Sequence, residues 1–139
     1  MARETQLRRA PLVTTILIVD DDPGIRFLLR AILENEGYAV FEAGNGEAAL
    51  AAIASQVPDI VMTDLMMPVM TGAELIVRLR SEARTAQIPI VVVSSNPEAV
   101  KSLGVDATVT KPFNAANLAD RVRAVADHSN RGQPMGGAT

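Results

Sequence analysis

The sequence predicts an α/β fold with a parallel sheet. Short β-branched runs alternate with amphipathic helical stretches through the middle of the chain, five of each. Several of the runs are almost continuously hydrophobic, as strands covered on both faces must be. Carboxylates, a hydroxyl and a lysine stand where several of those runs end, and in open α/β sheets ligands bind outside the carboxyl ends of the strands.

The strand candidates are Thr15–Val19, Ala39–Ala43, Ile60–Thr63, Ile90–Ser94 and Ala107–Thr110. The first helix carries Ile25, Leu28, Leu29, Ile32 and Leu33 on one stripe, with Asp22 as cap, Pro23 in the first position and Gly37 as terminator. The second, Gly46–Ser55, is capped by Asn45 and turns Leu50, Ile53 and Ala54 inward. Thr71-Gly-Ala-Glu74 has the form of a capping box and opens the third, with Leu75, Ile76 and Leu79 as its core face. The fourth is short, Pro97–Leu103. The fifth begins at Asn114 and buries Leu118, Val122 and Val125. Residues 1–11 lack periodicity and read as a flexible arm, residues 12–128 as one domain, and residues 129–139, rich in Gly and Pro, as a disordered tail.

Composition removes whole classes of function. The chain has 139 residues, no cysteine and one histidine, His128, which excludes disulfide scaffolds, thiol catalysis, Cys-based zinc sites and His-rich metal sites. A net charge of −3 gives no reason to expect direct nucleic-acid binding. No apolar run approaches the ~18 residues that span a bilayer, so the expectation is a cytoplasmic chain without membrane contact. Aromatics are 3% of the chain, so the core is aliphatic.

The first strand ends in Asp20-Asp21-Asp22, the third in Asp64, the fourth in Ser94-Ser95, and the fifth just before Lys111-Pro112-Phe113. If these strands are neighbours, Asp20, Asp21, Asp64, Ser94 and Lys111 converge. Packed carboxylates repel one another unless a cation bridges them, and Mg²⁺ suits a few carboxylates, a carbonyl and waters. Capping consumes one carboxylate, Asp22, and leaves Asp20 and Asp21 free for the cation. A carboxylate beside bound Mg²⁺ can attack phosphorus, Lys111 would offset the phosphoryl charge, and the Ser94 hydroxyl could donate to a phosphoryl oxygen.

At Ile16-Leu-Ile-Val-Asp-Asp-Asp-Pro23, Asp59-Ile-Val-Met-Thr-Asp-Leu-Met-Met-Pro68, Val91-Val-Val-Ser-Ser95 and Thr110-Lys-Pro-Phe113, the sequence resembles the receiver domain of two-component response regulators. The resemblance implies a flavodoxin-like fold, a five-stranded parallel sheet in order 2-1-3-4-5 flanked by five helices, the fourth short. It implies Asp64 as phosphoacceptor, with Ser94 as switch hydroxyl and Lys111 on the phosphoryl group. It also implies Mg²⁺ held by Asp21, Asp64 and the backbone carbonyl of Met66, with Asp20 helping through water, and a cis bond before Pro112. The phosphoryl group would come from a sensor histidine kinase or a histidine phosphotransfer protein, and the output would be binding to a downstream protein target. The chain would be a phosphoacceptor rather than an enzyme, with at most self-catalysed phosphotransfer and autodephosphorylation.

Two features depart from the family pattern. Thr108 stands where an aromatic often precedes the lysine, and Ser94 and Lys111 are only 17 positions apart, a shortening that falls on the fourth helix. Few residues follow Asp127, so the expectation is a stand-alone receiver. The alternatives are a phosphorylation-independent pseudo-receiver that only binds protein, and a haloacid-dehalogenase-type phosphatase. Against the phosphatase, Pro23-Gly24 follows the aspartates and the chain has no cap domain.

Overall fold

The computed structural model describes residues 13–138. In chain order its elements are β1 (Thr15–Val19), α1 (Pro23–Asn35), β2 (Ala39–Ala43), α2 (Gly46–Ser55), β3 (Ile60–Thr63), α3 (Gly72–Arg80), β4 (Ile90–Ser94), a 3-10 helix (Pro97–Leu103), β5 (Ala107–Thr110) and α4 (Ala115–Ala138). All strand pairings are parallel and the order is β2-β1-β3-β4-β5. The expected arm at residues 1–11 lies outside the described residues.

Alternation along each strand feeds two cores, one on each face of the sheet. Leu17, Val19, Val61, Ile90 and Val92 pack with Ile53 of α2 and Leu75, Ile76 and Leu79 of α3. Ile16, Ile18, Ile60, Met62, Val91 and Val93 pack with Leu29 and Leu33 of α1 and Leu118, Val122 and Val125 of α4. Burying each of these aliphatic side chains contributes about 1.5–3 kcal/mol. Because β1, β3 and β4 are interior strands sealed on both faces, what they carry at their carboxyl ends has a rigid base.

The helix starts follow local chemistry. Asp22 accepts from the Gly24 and Ile25 N–H groups ahead of Pro23, and Asn45 accepts from Ala48. Thr71 and Glu74 form the reciprocal capping box. Asn114 accepts from the Asn117 N–H at the start of α4.

Four details differ from the sequence expectation. Leu28 is 46% exposed, because it lies one residue step, about 100°, around α1 from Leu29, and the buried stripe centres on Leu29 and Leu33. Ala54 faces solvent for the same reason, being one step past buried Ile53, and Ala49 and Ala52 take the inward positions. The fourth helix is a 3-10 turn rather than an α-helix, so among the described residues four α-helices flank the sheet. The segment is seven residues long, has no side-chain N-cap bond, and is closed by Gly104 at φ 77°. Finally, α4 runs on to Ala138 through the stretch expected as a disordered tail. The buried anchors of this helix, Leu118, Val122 and Val125, lie in its first half.

Candidate functional site

The site is assembled at the carboxyl ends of β1, β3, β4 and β5. Asp20 and Asp64 each follow a strand directly and are buried, whereas Asp21 is exposed. One carboxylate oxygen from each of Asp20, Asp21 and Asp64 lies within 4.8 Å of the others. Lys111 reaches this cluster from the β5–α4 loop, its Nζ 3.4 Å from Asp20 Oδ2 and 3.5 Å from Asp64 Oδ2. The peptide between Lys111 and Pro112 is cis, as expected.

Backbone donors hold the carboxylates in place. The Asp22 N–H donates to Asp20 Oδ1 at 2.9 Å, and the Leu65 N–H donates to Asp64 Oδ1 at 2.8 Å. Burial pushes the Asp20 carboxyl above its ordinary value. The Asp22 N–H and the Lys111 charge pull the other way, and neighbouring Asp64 adds to the rise.

Ser94 ends β4, opposite Thr110 in the register, and is buried; its Oγ accepts from the Asn96 N–H at 3.0 Å. The Lys111 N–H donates to the Ser94 carbonyl oxygen at 2.9 Å, which joins the hydroxyl-bearing and lysine-bearing strand ends. Met66 lies two residues beyond Asp64 in the loop to α3, 76% exposed. The fold therefore brings Asp20, Asp21, Asp64 and Lys111 together, places Ser94 on the adjoining strand end, and leaves the Met66 side chain pointing to solvent.

Three carboxylates with no soft or imidazole donor form a hard-oxygen set suited to Mg²⁺. A chain that turns a carboxylate triad and one lysine toward the same point at the open end of a parallel sheet can gather a dication and a phosphoryl group there.

A family model described as "Response regulator receiver domain" matches residues 16–123. The chain belongs to this family. The receiver is 38% identical over 116 residues to the phosphate regulon transcriptional regulatory protein PhoB of Pseudomonas aeruginosa, a match covering 80% of this chain and 51% of that protein. It is 41% identical over 112 residues to the sensor histidine kinase TmoS of Ectopseudomonas mendocina, covering 77% of this chain and 11% of that one. The chain thus spans about half the length of the first relative and a small part of the second. Among solved structures it is similar to the response regulator protein TrrA of Thermotoga maritima in complex with Mg²⁺ and BeF, with a TM-score of 0.74, 33% identity, and coverage of 81% of this chain and 99% of that one.

The sequence reading missed two residues at the rim of the receiver's acidic pocket. Arg26 Nη1 donates to the Asp20 carbonyl oxygen at 2.7 Å, and Glu42 holds Arg26 through a 2.9 Å ion pair. The available signal was Glu42 itself, an acidic residue within an otherwise apolar strand run. Among the described residues, no helix is long and apolar enough to cross a membrane.

Proposed function

We propose that this receiver accepts a phosphoryl group on Asp64 in a Mg²⁺-dependent reaction and that the modification switches its binding to a downstream protein. The observation that carries the reading is Lys111 Nζ standing 3.4 Å from Asp20 and 3.5 Å from Asp64 within the carboxylate triad. In this reading Asp21 and Asp64, with the Met66 carbonyl, hold the dication, and Asp20 supports it. Mg²⁺ supplies charge neutralisation at the phosphoryl oxygens. One Asp64 carboxylate oxygen forms the new O–P bond as the donor's bond to phosphorus breaks, and the Lys111 ammonium balances the negative charge that arrives. The Ser94 hydroxyl, which accepts from Asn96 through its oxygen, keeps its own proton to donate to a phosphoryl oxygen.

The donor would be a sensor histidine kinase or a histidine phosphotransfer protein, a reading supported by the family and by the likeness to a segment of a sensor histidine kinase. The chain then acts as a phosphoacceptor, not as a turnover enzyme. Incubation with Mg²⁺ and a small phosphodonor such as acetyl phosphate, followed by mass spectrometry, tests this. One acid-stable, base-labile phosphate on Asp64 is expected, lost in Asp64→Asn and on chelation. Undiminished labelling of Asp64→Asn would overturn the assignment, and a wild-type chain that takes no label would favour a phosphorylation-independent pseudo-receiver.

A further inference from the structure

The Asp20–Asp21 peptide is clamped from outside the acidic cluster. Its carbonyl oxygen, that of Asp20, accepts from Arg26 Nη1 at 2.7 Å, while the Asp20 N–H donates to the Ala43 carbonyl at the end of β2. Arg26 is not free to wander. Its Nε is held by Glu42 Oε1 at 2.9 Å, the other Glu42 oxygen accepts from Arg30 Nε at 2.6 Å, and Arg30 Nη1 reaches Glu34 Oε2 at 2.8 Å. A chain of alternating charges therefore runs from the outer surface of α1 across β2 to a single peptide plane. That plane is rigid, so the direction of the Asp20 carbonyl sets where the Asp21 Cα sits and hence the point from which its carboxylate projects.

We propose that Arg26, anchored by Glu42, is a positioning residue for the divalent cation, acting by holding the Asp20–Asp21 peptide so that the Asp20, Asp21 and Asp64 carboxylates converge. The proposal rests on the Mg²⁺-dependent reading above. It carries a sign that separates it from simple electrostatics. A cation beside an acidic pocket repels a dication, so if Arg26 mattered only through its charge, removing it would tighten Mg²⁺ binding. If Arg26 positions the ligands, removing it weakens Mg²⁺ binding, as loss of outer-shell partners does at other metal sites.

The test is isothermal titration calorimetry of the whole chain with MgCl₂, for wild type, Arg26→Met, Arg26→Lys and Glu42→Gln, with a urea denaturation curve for each so that only fully folded protein is compared. Arg26→Met is expected to weaken Mg²⁺ binding on the order of tenfold. Arg26→Lys keeps the charge but cannot serve the Asp20 carbonyl and Glu42 together in the same fork, so its affinity falls in between. Glu42→Gln leaves the Arg26 charge in place and loosens its anchor; it is expected to weaken binding in the same direction by less. Because loss of a carboxylate also weakens dication binding by charge alone, Arg26→Lys, which keeps every charge, decides the matter if Arg26→Met does not fold. Unchanged or tighter binding in the folded variants, against a wild type that binds, overturns the positioning role alone. A wild type without Mg²⁺ binding overturns both the Mg²⁺-dependent reading and this one.

Discussion

Gly72 approaches the main chain of Asp64 so closely that a Cβ on it would stand 2.9 Å from the Asp64 carbonyl carbon and 2.8 Å from the Leu65 Cα. The contact is locked by the Gly72 N–H, which donates to the Leu65 carbonyl at 2.9 Å, and by Thr63 Oγ1, which donates to the Asp64 carbonyl at 2.7 Å. The start of α3 is thus pressed against the residue that carries the candidate phosphoacceptor, and only a glycine allows it.

Gly72→Ala is expected to destabilise the receiver by about 3 kcal/mol, because the clash is with backbone and no side chain can swing away. Equilibrium urea denaturation measures this. The same variant should lose phosphorylation in parallel, since any relief of the clash displaces Asp64.

Val69 lies in the same loop at φ 73°, a left-handed conformation that a β-branched residue adopts only under strain, and its side chain is 70% exposed. Val69→Asn removes little packing and installs a residue that tolerates this conformation. It should stabilise the protein by about 1 kcal/mol, read as a rise in the urea midpoint with an unchanged slope. A neutral or destabilising result would mean that Val69 makes a contribution its exposure does not suggest.

Glu42 supplies a pH signature. Its hydrogen bond from Arg30 lowers its carboxyl below the ordinary value near 4.5; burial opposes this, and Arg26 adds to the lowering. A carboxyl depressed on folding contributes stability above its unfolded value and loses it as pH falls through the folded value. Glu42→Gln should therefore cost about 1 kcal/mol at pH 7, with the gap from wild type closing as pH drops below the ordinary glutamate range. Denaturation curves at neutral and acid pH compare the two; a gap constant with pH would assign the loss to something other than this charge.

Arg80, at the end of α3, donates to the carbonyls of Ala86, Ile88 and Gly104 and pairs with Asp106, whose carboxylate also accepts from the Ile90 N–H. One guanidinium thereby ties α3 to the approaches of β4 and β5, on both sides of the shortened fourth helix. Arg80→Ala should cost about 2 kcal/mol, and Arg80→Lys should recover only part, since an ammonium cannot match four acceptors in that fork.

The output segment can be located by amide hydrogen exchange with and without beryllofluoride and Mg²⁺. Because Ser94 Oγ holds the Asn96 N–H at 3.0 Å, drawing the hydroxyl toward a phosphoryl mimic pulls on the residues that follow. Protection is expected to change within residues 95–104, where Val100 is the buried anchor. Changes confined to the loops of Asp20, Asp64 and Lys111 would place the output elsewhere.

Local patterns made most of the fold legible. Short β-branched and near-continuous apolar runs mark the strands, and the caps Asp22, Asn45 and Thr71 mark helix starts because a short polar side chain there satisfies an N–H that the helix cannot. The same logic failed where local signals are silent. Ala54 and Leu28 are apolar enough to be placed inside by periodicity, yet which arc of a helix is covered depends on how it lies on the sheet. The 3-10 form of Pro97–Leu103 likewise depends on the span between β4 and β5, which the rest of the chain sets.

By itself, the sequence determined the residue types that stand at each strand end, and so the presence of three carboxylates, a hydroxyl and a lysine with the chemistry to hold Mg²⁺ and a phosphoryl group. Tertiary structure alone decided that the carboxylates and the lysine meet. Asp20 and Lys111 are 91 positions apart and come within 3.4 Å only because β1, β3, β4 and β5 lie side by side in parallel. The same holds for Arg26 and Glu42, whose grip on the Asp20 carbonyl joins a helix to a neighbouring strand, and for Gly72, whose need is set by the backbone it faces. Side-chain chemistry is written residue by residue, whereas distance between remote residues is a property of the packed sheet.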